Sequence, residues 1–422
     1  LRDTTSNATA LQACGITLDI SRQRVSPDGL SALHGLATAA DVIGAHRAMM
    51  RGAIVNISEG RAALHTALRA PAGDADAPAD AQDVVHAELA RLRGFAQAVR
   101  SGEWKGATGL PLTDIVNVGI GGSDSGPRLA VAALSDGLDG PRVHFLSNVD
   151  GHGAARLLPR LDPSRTLAVV SSKSFSTRET LLNAAAVRDW MRAGGIDDTA
   201  LAKHMVCVSA RDGAAAGLGL PEANQFRLWD WVGGRFSVWS AIGVPVMLAI
   251  GPARFDAFLA GAHAMDRHSL QAPLPDNLPA TLALLALWNT QVLRTTSLCL
   301  LPYDDRLAPM VTWLQQLQME SLGKSVDAHG APLDVAAGEV VWGGTGTDAQ
   351  HTFFQALRQG TLRTAIDIVY AGRPQHDYPE HHLALLANAR AQAEALVAQD
   401  AASQAVNAVS VLQLDALSPA TL

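Results

Sequence analysis

The stretch DIVNVGIGGSDSGP, residues 114–127, decides the fold. Its β-branched start predicts a strand at 114–118, its glycines predict a turn, and a helix is predicted from about Arg128. The same order recurs at residues 166–191, where TLAVVSS predicts a strand and the residues from Thr177 predict a helix. Strands that alternate with helices in this way indicate a parallel sheet covered by helices.

Other stretches extend this pattern along the chain. RVHFLSN (142–148) and HMVCVSA (204–210) predict two more strands, and VWSAIGVPVMLAI (238–250) predicts one buried helix. The later part of the chain is helix-rich, with a strand predicted at EVVWGG (339–344), so we expect a second α/β domain. The segment 70–82, which is rich in Ala, Asp and Pro, is a candidate linker.

Composition limits the class of protein. The chain has 422 residues, of which 48% are hydrophobic and 17% charged, so it suits two folded domains rather than a disordered chain. A net charge of -7 without a basic run indicates that the chain is not a nucleic-acid-binding protein.

No apolar run reaches the roughly 18 residues of a membrane span. Three scattered cysteines indicate a reducing compartment without disulfides or a zinc site. Because the chain starts with Leu1, we expect its natural N-terminus to lie upstream.

The Gly-rich loop after the first predicted strand is a candidate binding loop. Glycines let a ligand approach the backbone closely, and the helix that follows offers unpaired N–H groups to an anion. The loop lacks the GK[ST] ending of a P-loop, and Asp124 occupies the position of the third glycine of a dinucleotide-binding fingerprint. A plain tight turn is the alternative explanation of the same residues.

The loop SSKSFSTRET, residues 171–180, favours phosphate binding. Four hydroxyl groups and Lys173 crowd the start of a predicted helix, where hydroxyl donors and the helix dipole stabilise an anion. Ordinary N-capping is the alternative, although it needs only one or two hydroxyl groups. Two strand–loop–helix units of this kind suit a sugar-phosphate site at the carboxyl edge of a sheet.

Three further segments each hold a single candidate residue. WDWVGGRFSVWSAIG (229–243) is either an aromatic core with a tight turn or a rigid turn that presents Arg235 to a cleft. Glu320, near the end of the helical stretch WLQQLQMESLGKS, has the position of a solvated helix residue, and its residue type alone assigns it no role. His351, in GGTGTDAQHTFFQALRQGT, is a helix cap, a packing residue or a candidate catalyst. The residues alone therefore indicate an α/β protein that binds a phosphorylated small molecule, without defining a reaction.

Taken together and in this order, the segments resemble the glucose-6-phosphate isomerase (phosphoglucose isomerase) family. RSGEWKG (100–106), FLSNVDGHG (145–153), LPYDDRL (301–307) and MESLGK (319–324) add to the loops described above. DWVGGRFSVWSAIG is the most specific match, and the resemblance spans about residues 18–395.

The resemblance implies a fold and an assembly. We expect the α/β class, with two sugar-isomerase-type domains that are each a mainly parallel sheet between helix layers. The small domain is expected at 83–250, and the large domain at 1–82 and 251–422. The resemblance also implies a cytoplasmic homodimer with shared active sites between the domains and at the subunit interface. Sugar phosphate is the implied ligand, and neither nucleic acid nor membrane is an implied partner.

The resemblance also implies the chemistry, which is reversible isomerisation of glucose 6-phosphate to fructose 6-phosphate through ring opening and a cis-enediol. Glu320 matches the base that moves a proton between C2 and C1, and His351 matches the group that helps to open the ring from the partner subunit. Arg235 matches the group that stabilises the enediolate, and Glu179 a carboxylate that orients the histidine. The positions that match substrate-binding residues are Gly122, Ser123, Ser172, Lys173, Ser174 and Thr177. No metal or redox cofactor is implied.

Two alternatives stay open at this point. A non-catalytic sugar-phosphate-binding module that regulates a partner would use the same loops, and an isomerase could also accept mannose 6-phosphate. The resemblance further implies that a catalytic Lys and a phosphate-contacting Gln of the family follow after Leu422.

Overall fold

The computed structural model of the chain describes residues 10–399 and 407–422. The chain divides into two compact units. One unit comprises Leu1–Arg47 and Gly261–Leu422, and the other comprises Ala48–Ala260.

The segment 70–82, predicted as a linker, lies inside the Ala48–Ala260 unit. There the Gln82 side chain donates hydrogen bonds to two carbonyl groups of the segment, both at 2.8 Å, and so ties the loop to the start of a long helix. The domain boundaries expected near residues 82 and 250 stay a prediction.

The strands and helices are numbered in chain order. The strands are β1 (Ala10–Ala13), β2 (Ile16–Arg22), β3 (Asp114–Val118), β4 (Arg142–Leu146), β5 (Thr166–Ser171), β6 (Met205–Ser209), β7 (Gln225–Arg227), β8 (Ser297–Pro302), β9 (Val340–Gly343), β10 (Thr364–Arg373) and β11 (Ala408–Ala416). The helices are α1 (Pro27–Ala39), α2 (Val42–Met50), α3 (Ala79–Ser101), α4 (Ser125–Leu134), α5 (Gly151–Leu157), α6 (Arg178–Ala193), α7 (Ala214–Gly217), α8 (Val244–Ile250), α9 (Pro252–Gln271), α10 (Leu278–Gln291), α11 (Met310–Leu314), α12 (Gly346–Gln350), α13 (Phe354–Gln359) and α14 (Pro379–Ala395).

The Ala48–Ala260 unit contains a five-stranded parallel sheet in the order β4-β3-β5-β6-β7. The four strands predicted from the sequence are confirmed as β3 to β6, with ends that differ by no more than two residues. The predicted helices after the two loops are confirmed as α4 and α6.

Both faces of this sheet are buried, which explains its β-branched sequence. Val116 and Val118 of β3 pack in one core with Val187 and Met191 of α6. Ile115, on the opposite face, is also fully buried. A parallel strand that is buried on both faces reads as an almost continuous apolar run, which made these strands predictable.

The prediction of one helix over residues 238–250 is wrong in its first half. The structure has 3₁₀ turns at Gly234–Trp239 and Ala241–Gly243, and the α-helix begins only at Val244. Pro245 explains the difference, because proline is tolerated in the first turn of a helix but removes a hydrogen bond from a helix interior. The whole of α8 is buried, as predicted.

The other unit contains a six-stranded sheet in the order β1-β2-β11-β10-β8-β9. The four strands β11, β10, β8 and β9 are parallel, while the β1–β2 hairpin adds an antiparallel edge. The hairpin turns at Cys14 and Gly15, whose φ angles of 52° and 76° suit a tight hairpin turn. The strand predicted at 339–344 is confirmed as β9, whereas β8, β10 and β11 were not predicted.

Helices pack on both faces of this second sheet. On one face, Ile366 and Ile368 of β10 form a core with Ala389 and Ala393 of α14. On the other face, β2 and β11 pack against Leu278 and Leu285 of α10. The predicted class, α/β with mainly parallel sheets between helices, is therefore confirmed. All three cysteines are free thiols.

Candidate active site

A cavity of about 440 Å³ lies in the Ala48–Ala260 unit, next to the loops that follow the neighbouring strands β3 and β5. In parallel sheets, ligands bind at this carboxyl edge of the strands. The lining residues come from both predicted loops and two other segments: Glu59, Arg61, Ile120, Gly122, Ser123, Ser171, Ser172, Lys173, Ser174, Thr177, Thr180, Asp230 and Gly234.

Gly122 holds the Gly-rich loop against the turn before Arg235. A Cβ atom on Gly122 would lie 2.0 Å from the Gly234 carbonyl oxygen and 2.8 Å from the Arg235 backbone nitrogen. Only glycine permits so close an approach of two backbone segments. The buried Asn117 side chain holds the next residue of the loop by donating to the Ser123 carbonyl at 3.0 Å.

The Ser-rich loop is ordered by its own hydroxyl groups. The Ser172 hydroxyl oxygen accepts a hydrogen bond from the Phe175 N–H at 3.2 Å, and the Ser174 and Ser176 hydroxyls lie 2.8 Å apart. Phe175 has a φ of 50°, in the left-handed region, while its ring is buried in the core beneath the loop. The buried ring fixes this strained residue, so the loop keeps a defined shape around the cavity.

Lys173 joins this loop to the Trp-rich segment. Its Nζ donates to the carbonyls of Asp230 at 2.7 Å and Val232 at 3.0 Å. Partial burial lowers the pKa of Lys173 below its usual value, and the nearby Asp230 carboxylate opposes that shift. An ammonium group has three N–H donors, so one remains for a ligand in the cavity.

The first turn of α6 points to an anion site. Thr177 is the N-cap residue, but its side chain accepts no hydrogen bond from the first turn. The first backbone bond of the helix runs from Leu181 N–H to the Thr177 carbonyl, so the N–H groups of residues 178–180 have no acceptor within the helix. Such a helix start attracts a phosphate group through its N–H groups and its dipole.

Three charged residues form one part of the cavity wall. Arg61 Nη1 lies 3.6 Å from a carboxylate oxygen of Glu59 and 3.6 Å from one of Asp230. An isolated antiparallel bridge between Asn56 and Arg61 closes the turn that contains Glu59. The wall therefore combines two cations, Arg61 and Lys173, with two carboxylates.

Two predicted residues lie beside the cavity without lining it. Arg235 follows the lining residue Gly234, is half-buried and has its guanidinium 5.5 Å from the centre of the Phe236 ring. Glu179 is the second residue of α6, where a carboxylate stabilises the helix dipole.

Glu320 belongs to the other unit, at the end of a π-helical stretch, Gln315–Glu320. Its carboxylate is exposed and accepts a hydrogen bond from the Gln316 side chain at 3.1 Å, while its carbonyl accepts one from Lys324 Nζ at 2.9 Å. π-helical turns are rare and often occur at functional sites, because the widened turn reorients the side chains that follow it.

His351 also belongs to this unit and ends the short helix α12. Its N–H donates to the Asp348 carbonyl at 3.0 Å, and its residue surface is exposed. It is thus a helix-ending residue with an accessible side chain.

The family model of phosphoglucose isomerase matches the chain over residues 19–421. This chain belongs to the phosphoglucose isomerase family. The match includes both sheets except β1 and the first three residues of β2, and it contains every candidate residue named above.

Curated members of the phosphoglucose isomerase family are similar over most of the chain. Glucose-6-phosphate isomerase 2 of Cupriavidus pinatubonensis is 48% identical over 392 residues, which are 92% of this chain and 72% of the relative. Glucose-6-phosphate isomerase of Burkholderia pseudomallei is 49% identical over 385 residues, which are 91% of this chain and 70% of the relative. The crystal structure of a glucose-6-phosphate isomerase from Chlamydia trachomatis has a TM-score of 0.88 at 31% identity, over 98% of this chain and 82% of that one.

The structure brings six of the predicted residues of this phosphoglucose isomerase family member together in one cavity: Gly122, Ser123, Ser172, Lys173, Ser174 and Thr177. Arg235 and Glu179 do not line the cavity but are sequence neighbours of lining residues. Glu320 and His351 belong to the other unit. Glu59, Arg61, Thr180 and Asp230 were missed. Thr180 could have been included, because it belongs to the same Ser- and Thr-rich motif. Asp230 also belongs to a segment that the sequence analysis had singled out, 229–243. Glu59 and Arg61 gave no local signal, because only the fold brings them to the loops.

Two kinds of feature are absent from the described residues. Within residues 10–399 and 407–422, no group of three or more His, Cys, Asp or Glu side chains is arranged to hold a metal ion. In the same ranges, no helix is both long enough and apolar enough to cross a membrane.

Proposed function

We propose that this chain interconverts glucose 6-phosphate and fructose 6-phosphate as an aldose–ketose isomerase. One observation carries the proposal: the family match is accompanied by a cavity that holds all six matched substrate-binding positions. This reaction is a step of glycolysis and gluconeogenesis, so we place the protein in the cytoplasm.

The cavity suits the phosphate group of the substrate. The hydroxyl groups of Ser172, Ser174 and Thr177 and the ammonium group of Lys173 line it together. The uncapped start of α6 adds backbone N–H donors and a favourable dipole. Hydrogen bonds to a charged phosphate are stronger than those between neutral groups, so this grip can hold the sugar while its other end reacts.

Glu320 acts as the base in the proposed reaction. Its carboxylate takes the proton from C2 of the open-chain aldose, the electron pair of that C–H bond forms the C1=C2 double bond, and the C1 carbonyl oxygen becomes the negative oxygen of an enediolate. The proton of the C2 hydroxyl passes to that oxygen, and Glu320 returns its proton to C1 to give the ketose. The Arg235 guanidinium stabilises the enediolate charge.

His351 assists ring opening in the proposal, and Glu179 orients it. We assign the protein as a homodimer in which His351 serves the active site of the partner subunit. The exposure of His351 on its own chain supports this assignment. The complete reaction moves protons and one electron pair within the sugar, so no redox cofactor or metal enters the proposed steps.

Neither alternative is favoured. A binding module that regulates a partner needs no base, whereas Glu320, His351 and Arg235 are all present within the matched family region. The named relatives are glucose-6-phosphate isomerases, which favours glucose 6-phosphate over mannose 6-phosphate as the main aldose.

The test is turnover of fructose 6-phosphate by the purified protein, with the glucose 6-phosphate formed measured by a coupled dehydrogenase. We expect robust turnover, and we expect Glu320→Gln to lower kcat by about a hundred- to ten-thousand-fold while the sugar phosphate still binds. The exposed Glu103→Gln is the matched control and should keep full activity. Normal turnover by the Glu320→Gln variant would refute the assignment of the base, and a parent protein that neither turns over nor binds fructose 6-phosphate would refute the function.

A further inference from the structure

Thr180 is a cavity residue with an unexplained hydroxyl group. It lies in the first turn of α6, three residues after the N-cap, and its side chain is 1% exposed. Its Oγ1 makes no hydrogen bond to any residue within the described part of the chain. Of the buried side-chain atoms that lack a partner there, this is the one whose residue lines the cavity.

An unpaired buried hydroxyl destabilises a protein, because it gives up its hydrogen bonds to water without replacing them. Valine has nearly the same shape and would fill this position without that cost. The threonine hydroxyl is explained when a ligand in the cavity supplies the missing partner.

The surroundings of Thr180 identify the partner as an anion. Its hydroxyl lies in the same helix start as the N–H groups of residues 178–180, which have no acceptor within the helix. The hydroxyl is shielded from bulk water, so a hydrogen bond to a ligand oxygen would meet little competition from solvent. Lys173, on the preceding loop, supplies a positive charge on the same cavity wall.

We propose that Thr180 is a further phosphate-binding residue, whose hydroxyl donates to an oxygen of the substrate phosphate at the first turn of α6. This inference rests on the proposed function for the identity of the phosphate ester. It adds a residue of helix α6 to the substrate-binding residues of the preceding loop.

The test uses Thr180→Val with inorganic phosphate as the first probe and fructose 6-phosphate as the second. We expect the dissociation constant for inorganic phosphate, measured by calorimetry, to rise about tenfold, as for the loss of one hydrogen bond to a charged group. The KM for fructose 6-phosphate should rise by a similar factor, while kcat changes less than about threefold. Thr180→Ser keeps the hydroxyl and should bind phosphate within about threefold of the parent protein.

Thr281→Val is the matched control. Thr281 is 3% exposed, lies in the first turn of α10, also has an unpaired hydroxyl and does not line the cavity. Both valine variants should have an unchanged or raised Tm in phosphate-free buffer, but only Thr180→Val should lose the rise in Tm that phosphate causes.

A lowered Tm of Thr180→Val together with unchanged phosphate binding would overturn the inference, because the hydroxyl would then be purely structural. If Thr180→Val does not fold, Thr180→Ala replaces it, and failure of both to fold would overturn the inference for the same reason. Phosphate binding is measured without turnover. A parent protein that binds inorganic phosphate through Thr180 but neither binds nor isomerises fructose 6-phosphate would therefore refute the proposed function alone.

Discussion

Lys173 Nζ donates a hydrogen bond to the Asp230 carbonyl at 2.7 Å and a second to the Val232 carbonyl at 3.0 Å. The two partners lie 57 and 59 residues further along the chain. The ammonium group therefore joins the loop after β5 to the turn that leads to Arg235, and it contributes to the shape of the cavity as well as to its charge.

Replacement of Lys173 tests this double role. Lys173→Met keeps an unbranched side chain but leaves both carbonyls without their donor. We expect the free energy of unfolding to fall by about 1–3 kcal/mol, and the KM for fructose 6-phosphate to rise at least tenfold. Urea unfolding and the coupled assay measure the two effects. Lys105→Met, at an exposed position, should change neither quantity. An unchanged stability with a raised KM would mean that Lys173 acts through charge alone.

Gly122→Ala tests the contact between the Gly-rich loop and the Gly234–Arg235 turn. The new Cβ would lie 2.0 Å from the Gly234 carbonyl oxygen, so one backbone segment must move. We expect a loss of about 1–3 kcal/mol in stability, as for other overpacked sites. The kcat/KM for fructose 6-phosphate should fall at least tenfold, because the loop lines the cavity. Wild-type stability and activity would show that the two segments are not held together.

Gly94→Ala is the matched control and a prediction of its own. Gly94 lies in the middle of α3 and is exposed, and a methyl group added there would meet only open space within 4 Å. Alanine has a higher helix propensity than glycine, so the free energy of unfolding should rise by about 0.5–1 kcal/mol without a change in activity. A destabilised Gly94→Ala would contradict the helical environment assigned to this position.

The sequence made the small sheet and the loops predictable for a physical reason. Ile115 and Val116 are buried on opposite faces of β3, so the strand reads as an unbroken apolar run that is followed by a Gly-rich turn. The strand β10 has the same kind of sequence but was not predicted, because no Gly-rich turn of this kind follows it and marks its end.

The part of the site that comes from one short segment could be predicted from the sequence. The part that comes from distant segments could not, because only the fold brings them together. Ser172, Ser174 and Thr177 share one motif, and the residue types of that motif are enough to indicate an anion. Arg61 reaches the same cavity from more than a hundred residues away in the sequence, so no local pattern could show it. The missing partner of Thr180 is a property of the packed structure, and a sequence cannot reveal it.

Asp114 makes part of the stability sensitive to acid. It is buried, and it accepts hydrogen bonds from Arg142 and His144, each at 2.9 Å, and from Thr113 at 2.9 Å. Burial opposes these bonds, but together they lower the pKa of Asp114 below its usual value. A carboxylate with a lowered pKa stabilises the fold above its ordinary pKa of about 3.9, and this contribution is lost as the pH falls through the lowered value.

Asp114→Asn should therefore cost about 1–3 kcal/mol of unfolding free energy at pH 7, and progressively less below about pH 4. Urea unfolding at pH 7, 5 and 3 measures the difference between the variant and the parent protein. The exposed Asp334→Asn should show no comparable loss at any of these values. If Asp114→Asn lowers the unfolding free energy equally at all three pH values, then the shape of this side chain matters rather than its charge.

Asp367 makes the stability depend on pH in the opposite direction. It lies in the middle of β10, in register with Ser410 and Leu300, on the wall of a cavity of about 540 Å³ in its own unit. Burial raises the pKa of Asp367 to about 7, and the nearby Glu339 carboxylate adds to the rise, while a hydrogen bond with Ser410 opposes it. The folded chain then binds a proton at Asp367 more tightly than the unfolded chain does. The stability that depends on this group is complete below the unfolded pKa near 3.8, and is lost as the pH rises through about 7.

Asp367→Asn should remove this dependence, because asparagine stays neutral and keeps an oxygen for the Ser410 hydroxyl. We expect the variant to match the parent protein near pH 4 and to become more stable than it as the pH rises toward 8. The gain should reach about 1–3 kcal/mol, since one pKa unit corresponds to about 1.4 kcal/mol and water in the cavity reduces the full effect. Urea unfolding from pH 4 to 8 measures the gain, with Asp114→Asn as the comparison, because that variant should be less stable than the parent protein by a nearly constant amount over this range. If Asp367→Asn lowers the stability equally at every pH, then the carboxylate is charged in the folded chain and its negative charge is what Ser410 and the neighbouring strands stabilise.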